Sequence, residues 1–475
     1  MFSSTTSAAQ IGVEARQVQV ETHVESGKSA FGIVGLPDTA VREATHRVRS
    51  AFANSGYRFP RSRHLTVNLA PAALPKSGPA FDLPIALSVL AAERLVPPAA
   101  ADVVAVGELA LDGKVRLSRN ILAAARVARR LGRPLLVPRG GEQEAFLVGG
   151  VDVRAVETLV DAVEAALDVG RRMTPAEIDE EQWSGPDLAD VKGQPVARRA
   201  LEIAAAGGHH IVLVGPPGAG KSMLAKRLPS LLPPMTPEER LQTASVWAAS
   251  SRLPRPEGRP LRAPHHSASA AALLGGGSGL PEPGEVSLAS GGVLFLDELG
   301  EFPSHVLDGL RQPLEDRLVT IARRGATVRY PATARVVAAT NPCPCGYRGD
   351  RVKACVCGDA EIRKYRRKLS GPLLDRFDIS VAMGRPDSFD GGPEEGSAEV
   401  RARVLAARQF AAQRGEVDEW DEEAASVLAR ALADGVLTGR GHDKVRRVAR
   451  TVADLAAATR VTLDHVLEAM SMRAV

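Results

Sequence analysis

Eight consecutive residues, Gly215, Pro216, Pro217, Gly218, Ala219, Gly220, Lys221 and Ser222, fill every fixed position of a phosphate-binding loop. Glycines at these places let the backbone wrap close to an anion with its N–H groups turned inward. The Lys221 ammonium has the reach to meet the β- and γ-phosphates of a nucleoside triphosphate, and the Ser222 hydroxyl is a ligand for Mg2+. Further along, Val293-Leu294-Phe295-Leu296 runs straight into Asp297-Glu298. An apolar run ending in two acids predicts a buried strand that delivers carboxylates to a sheet edge, where open α/β sheets bind ligands. Asp297 would hold Mg2+ through its water shell, and Glu298 would polarise an attacking water. The expected cofactors are therefore ATP and Mg2+.

The four cysteines of the chain all fall within Cys343-Pro344-Cys345 and Cys355-Val356-Cys357. Reduced thiolates in close pairs suit tetrahedral Zn2+, although two to four residues more commonly intervene within a pair. Two readings stand: a closed structural zinc site bracing a loop, or free or redox-active thiols. So few, so clustered cysteines do not make a disulfide scaffold, which fits a cytoplasmic protein.

Elements that would position these groups are legible around them. Ile211–Val214 reads as the strand before the loop, and a helix begins near Ser222. Arg335–Thr340 reads as another buried strand, ending at Asn341. Val319–Tyr330 reads as a hairpin with Arg323-Arg324-Gly325 at its tip. Two arginines there would track phosphates without reading bases, unless the tip is a plain basic turn. The run Arg363–Lys368 is either a contact surface for DNA or a neighbouring subunit, or a solvated helix face. Adjacent His265 and His266 point in different directions, which favours a structural role over a metal site.

The 475 residues suggest about three domains. Positions 1–170 alternate strand-like and helix-like runs, with a helix expected over Pro84–Ala92 and another over Ile121–Leu131. Positions 171–186 form a polar, acidic linker, 187–390 an ATPase core, and 391–475 a helical lid. A net charge of +4 from 60 basic and 56 acidic residues is too small to argue for nucleic-acid binding alone, so any basic surface must be local. No run approaches the ~20 apolar residues of a membrane span, and Met1–Gln10 lacks the basic and apolar parts of a signal peptide.

Taken together, Asp187–Ala205, the phosphate loop, the Asp297-Glu298 strand and Asn341 resemble an AAA+ ATPase: an α/β P-loop parallel-sheet core with a C-terminal helical lid. That resemblance makes Asn341 a sensor of the γ-phosphate. Leu373–Asp378 is similar to the arginine-finger motif of the magnesium-chelatase and MCM helicase branch, in which Arg376 would act on a neighbouring subunit's phosphates. Such fingers are worth about 10³–10⁵ in rate; a structural Arg376–Asp pair is the alternative. Arg440 falls at the second sensor position with Arg447 as substitute, while Arg446 and Arg450 read as a solvated face. Arg262–Ser287 resembles the helix-2 insert of that branch, with Leu274–Gly279 as a flexible tip, and the hairpin at Arg323 and Arg324 resembles one that lines a DNA-binding pore.

The front of the chain resembles the proteolytic domain of Lon-type proteases over His64–Ala92 and Gly107–Gly132. Ala80 stands where that family has its serine and Leu122 where it has its lysine, so the domain is expected to be Lon-like and non-proteolytic. Ser77 lies three positions early and has no evident base. With the string Ala339–Gly346, the whole chain resembles the YifB/ComM family. The resemblance implies a cytoplasmic homo-hexameric ring, with no membrane association, that couples ATP hydrolysis to translocation or unwinding of single-stranded or branched DNA. Branch migration during recombination or natural transformation would be its setting. The competing expectation is the motor subunit of a magnesium-chelatase complex.

Overall fold

Between Phe2 and Ile11 the chain carries mainly Ser, Thr and Ala, a composition that looks like a solvated terminus. In the computed structural model, which describes residues 1–60, 62–168, 173–174, 185–250, 258–277, 280–323, 326–369, 371–386 and 394–473, it is a sheet strand. Thr5, Thr6, Ser7 and Ala8 are fully buried. Phe2–Ile11 pairs antiparallel with Glu14–Ser26, Ile11 facing Glu14 across a turn at Gly12. Short side chains are what a strand admits when helices pack close, and its hydroxyls find partners: Ser7 Oγ donates to Ala105 O at 2.9 Å.

The chain divides into two units, Met1–Asp179 with Pro237–Leu253, and Glu180–Thr236 with Pro254–Val475. The first holds a seven-stranded mixed sheet in the order Ala30–Val34, Arg63–Ala70, Glu14–Ser26, Phe2–Ile11, Val104–Ala105, Leu135–Pro138, Val153–Val156. Helix Asp82–Ala92 is buried along its whole length, starting two residues before Pro84. Proline is tolerated in that first turn because its missing N–H would have no helical partner. Asp82 receives Arg47 Nε at 2.6 Å and the Leu109 amide at 3.1 Å. Burial pushes its carboxyl up to about 6 against the pull of Arg47. Helix Ile121–Leu131 matches the expected span. Helix Pro237–Ala248, inside the stretch assigned from sequence to the 187–390 core, belongs instead to this first unit. Arg126 donates to its Ser245 Oγ at 2.7 Å and Gln10 to its Ser245 O at 2.7 Å.

The second unit is built on a five-stranded parallel sheet in the order Leu261–Arg262, Val293–Leu296, Arg335–Thr340, Ile211–Val214, Ile379–Ala382. Its three central strands are almost wholly buried and apolar, as a parallel sheet covered on both faces requires. Helices Ser397–Arg414, Glu422–Ala433, Gly439–Leu455 and Leu463–Ser471 follow. Val404, Leu428, Val445, Val452 and Val466 share one core cluster with Leu201, Ile211, Leu224 and Val337. The expected valine stripe at 445, 448 and 452 therefore packs onto the sheet layer. Arg450, expected on a solvated face, is buried and pairs with Asp454 at 3.0 Å; Arg446 does lie exposed, 2.9 Å from Asp418.

His210 joins three strands at their amino ends. Its Nδ1 accepts from the Val336 amide at 3.0 Å, and its carbonyl accepts from the amides of Asp378 and Ile379. Burial, with the nearby Arg335, His209 and Arg317, lowers the imidazole to about 4 although Asp378 opposes. The unfolded chain takes up this proton near pH ~6.5, whereas the folded chain refuses it until about pH 4. Stability should therefore fall as pH drops through that window, by about 2 kcal/mol after allowing for partial exposure. Urea midpoints measured from pH 7 down to pH 4.5 check this: the decline should be smaller in His210→Gln, which keeps an acceptor but cannot titrate.

Candidate functional site

Three neighbouring strands of the parallel sheet end side by side, and each releases one candidate group. Ile211–Val214 leads into the loop 215–222, Val293–Leu296 into Asp297 and Glu298, and Arg335–Thr340 into Asn341. Gly218 and Gly220 hold φ of 82° and 87°, a left-handed backbone that glycine adopts without strain. Gly215 is needed for space, since a Cβ there would lie 2.5 Å from Met383 O. Lys221 is buried, and its Nζ donates to Gly215 O at 2.6 Å, Pro216 O at 2.9 Å and Asn341 Oδ1 at 3.2 Å. Burial lowers its pKa while Asp297 and Glu298 oppose the shift. Ser222 Oγ donates to Asp297 Oδ2 at 2.7 Å, so the two expected Mg2+ groups meet. The donor set fits a Mg2+-triphosphate: a cation, a hydroxyl and a carboxylate gathered at one glycine loop. Gln194 directly precedes helix Pro195–Gly207. Its Nε2 donates to Ala219 O at 3.1 Å and Gly384 O at 2.8 Å, tying the loop to the chain after the Ile379–Ala382 strand.

Glu298 has a partner that sequence reasoning missed. His266 Nδ1 lies 2.9 Å from its Oε2, and Glu298 itself takes a left-handed backbone with φ of 51°. The His266 ring packs against His265 at 4.0 Å between centroids and edge-on to Phe302 at 6.5 Å. The signal was positional: Leu261–Arg262 pairs in parallel with Val293–Leu296, so residues just beyond both strands emerge at one edge.

Arg376 and Arg440 come together, but in a separate cavity of about 870 Å3. Arg376 pairs with Glu315, and Arg440 Nη2 is 3.8 Å from the same carboxylate. Asp375, Lys444 and Arg447 also line the space, whereas residues 215–222, Asp297, Glu298 and Asn341 do not. An acid paired with Arg376, Glu315, comes from helix Arg311–Asp316. Arg447, the substitute second sensor, pairs with Asp378 at 2.7 Å. Burial lowers Lys444 to about 8, and its Nζ donates to Phe377 O at 3.1 Å.

The expected hairpin is Leu318–Arg323 paired with Ala326–Pro331. Arg323 is exposed at the end of its strand, while Arg324 lies outside the described residues. The insert carries a second small hairpin, Gly275–Gly276 with Glu282–Pro283, across part of the span expected to be a flexible tip. The two hairpins are neighbours. Tyr330 OH donates to Pro281 O at 2.6 Å, and a Cβ on Gly276 would lie 3.5 Å from Arg323 Nη2.

Cys343, Cys345, Cys355 and Cys357 bring their sulfurs within 4.8 Å of one another. Cys343 Sγ is 3.5 Å from Cys345 Sγ and 3.6 Å from Cys355 Sγ. Tetrahedral Zn–S bonds of ~2.3 Å would space the sulfurs at roughly 3.8 Å. Hydrogen bonds from the Tyr347 amide first, and the Val356 amide next, lower the Cys345 thiol to about 6. The cysteine loop also touches the phosphate loop: a Cβ on Gly346 would lie 2.8 Å from Pro217 Cδ and 3.7 Å from Asn341 Cγ. In the first unit, Ala80 and Leu122 are both buried in one apolar cluster, with no catalytic side chain at either position.

A parallel sheet with this loop, and carboxylates on the neighbouring strand ends, defines a nucleotide-binding α/β protein of the AAA+ class. Family models agree: residues 187–389 match magnesium chelatase, subunit ChlI, residues 20–141 match subunit ChlI of Mg-chelatase, and residues 394–473 match its C-terminal part. The competence protein ComM of Haemophilus influenzae is 41% identical over 98% of this chain and 96% of its own length. YifB of Escherichia coli, uncharacterized, is 41% identical over the same shares. A probable DNA helicase of Arabidopsis thaliana, MCM9, is 27% identical over 45% of this chain and 27% of its own length. The chain belongs to the YifB/ComM family of magnesium-chelatase-like AAA+ proteins.

Gly346 combines a φ of 86° with the close approach to Pro217. Gly346→Ala should therefore weaken ATP binding about tenfold, equivalent to the ~1–2 kcal/mol cost of a left-handed alanine together with displacement of the phosphate loop. Titration with a fluorescent ATP analogue, alongside circular dichroism to confirm folding, measures it.

Proposed function

We propose that this chain is the subunit of a ring-forming ATPase that moves or unwinds DNA. The observation that carries the reading is the separation of Arg376 and Arg440 from the phosphate loop of their own chain. Arginines expected to act on phosphate, yet paired with Glu315 in another cavity, are groups for a neighbouring copy's nucleotide. A hexamer is the assembly this suits. Lys221 and the loop amides would hold the phosphates, and Ser222 and Asp297 would hold Mg2+, whose charge would offset the charge on the transferring phosphoryl group. Glu298, oriented by His266, takes a proton from the attacking water, and Asn341 positions that water. The neighbour's Arg376 stabilises the transition state, with Arg440 beside it.

DNA engagement rests on the exposed Arg323, with Arg324 beside it in sequence, and on the partial likeness to the MCM9 helicase. The kinship with a competence protein favours branch migration of incoming single strands as the task, in the cytoplasm. The cysteine cluster is read as a structural Zn2+ site, because its four sulfurs already lie near tetrahedral spacing. The first unit is read as Lon-like and non-proteolytic, given Ala80 and Leu122 in its core. The names of the family models favour a second reading, the motor of a metal-inserting chelatase complex.

Steady-state ATPase measured with and without single-stranded and forked DNA separates these readings. Stimulation is expected, and it should vanish in the double variant Arg323→Ala, Arg324→Ala; no stimulation and no salt-sensitive DNA binding would leave the chelatase reading standing. Glu298→Gln should bind ATP without turning it over, and Arg376→Ala should lose at least ~10³ in rate. Metal analysis of protein purified without chelator should find about one zinc per chain; a ratio near one per several chains would return the cysteines to free thiols.

A further inference from the structure

Between Arg348 and Lys368 the chain has eight basic and three acidic residues. That segment alone carries more net positive charge than the whole protein. The acids on it are turned to other uses. Asp350 is almost fully buried and accepts from Arg385 Nε at 3.2 Å. Glu361 Oε2 caps the helix Asp359–Lys368 by accepting from the Gly358 amide at 3.0 Å, and Asp359 sits in the same first turn.

Basic side chains of both the loop and the helix face solvent. Arg348, Arg351 and Lys353 are exposed on the cysteine-held loop, and Lys353 Nζ lies 4.2 Å from the Tyr347 ring centroid. On the helix, Ile362 and Tyr365 are buried, whereas Arg363, Lys364 and Arg367 point the opposite way and are exposed. Among the described residues, none of Arg348, Arg363, Lys364 and Arg367 is in ion-pair distance of a carboxylate. Arg363 and Arg367 stand about 6 Å apart along the axis. Four thiolates around Zn2+ would add two negative charges and still leave the surface net positive.

We infer that the cysteine-held loop and helix Asp359–Lys368 form a second phosphate-backbone surface for single-stranded nucleic acid, separate from Arg323 and its hairpin. This rests on the DNA reading above and adds a site to it. Charge complementarity selects the partner: a subunit interface has an apolar centre depleted of charge, and here the large apolar side chains exposed among the cations are Val352 and Val356. A polyanion is what a dense, exposed array of lysine and arginine attracts. The buried side of the same helix reaches the nucleotide site. Tyr365 OH lies 3.1 Å from Thr340 Oγ1, next to Asn341, and a Cβ on Gly300 would overlap Tyr365 OH, just after Glu298. A strand bound on the outer face thus loads a helix that rests on the sensor strand and on the turn after the carboxylates.

The test is binding of a fluorescein-labelled oligo(dT) to the full-length protein with a non-hydrolysable ATP analogue, across about 50 to 200 mM salt. The triple variant Arg363→Gln, Lys364→Gln, Arg367→Gln should reduce the slope of log affinity against log salt by about 2, since each single-strand phosphate contact contributes ~0.7. It should also weaken binding more than tenfold at the lowest salt, while Arg363→Lys with Arg367→Lys keeps the slope. Sedimentation of each variant reports assembly. An unchanged slope in the triple variant, with the wild type binding normally, overturns this surface and leaves the hairpin reading intact. Loss of assembly with a normal slope in the assembled fraction also overturns it, making the helix a subunit contact. No binding by the wild type overturns the DNA reading and this surface together.

Discussion

A buried ammonium governs the second unit. Lys221 is enclosed by protein, and a cation so placed is stable only where the fold supplies oxygen on every side. Two carbonyls of the glycine loop and the Asn341 amide oxygen supply it, drawn from two neighbouring strands. That requirement fixes much else: the two strands must be parallel, adjacent and end level, as Val214 and Thr340 do, and the loop must turn back over its own lysine. Ser222 and Asp297 then meet as a consequence of the same strand alignment.

Local signals in the sequence were enough for this arrangement and for the elements beside it. The loop, the apolar strand before Asp297 and the strand before Asn341 each announce themselves within a dozen residues, and helix Ile121–Leu131 was legible to its ends. What escaped depended on distant partners. Strand Phe2–Ile11 has no apolar alternation because its neighbours leave room only for small side chains. His266 meets Glu298 through strand pairing that no local pattern records. Arg376 was readable as an arginine of the motif, but its Glu315 counter-ion, sixty-one positions earlier, was not.

His266 and Glu315 share a physical role. Each holds a charged group that chemistry would need, in a geometry that a ligand must compete with. Glu298 is oriented yet occupied by an imidazole, and Arg376 is poised yet neutralised by a carboxylate. The cysteine loop extends the same logic, since Gly346 presses on Pro217 and ties the order of that loop to the order of the phosphate cradle.

Helix Pro237–Ala248 has a consequence for the modularity of the chain. Its residues lie between the phosphate loop and the strand Leu261–Arg262, yet Val246, Trp247, Thr243 and Ser245 are buried within the first unit. The peptide therefore passes between the units three times, and the unit boundary is not a single hinge in the acidic linker. A protease cutting only that linker would produce two fragments still held by an intact helix. A gene trimmed to begin after the linker would encode a chain whose Ser245 has lost its partners Gln10 and Arg126.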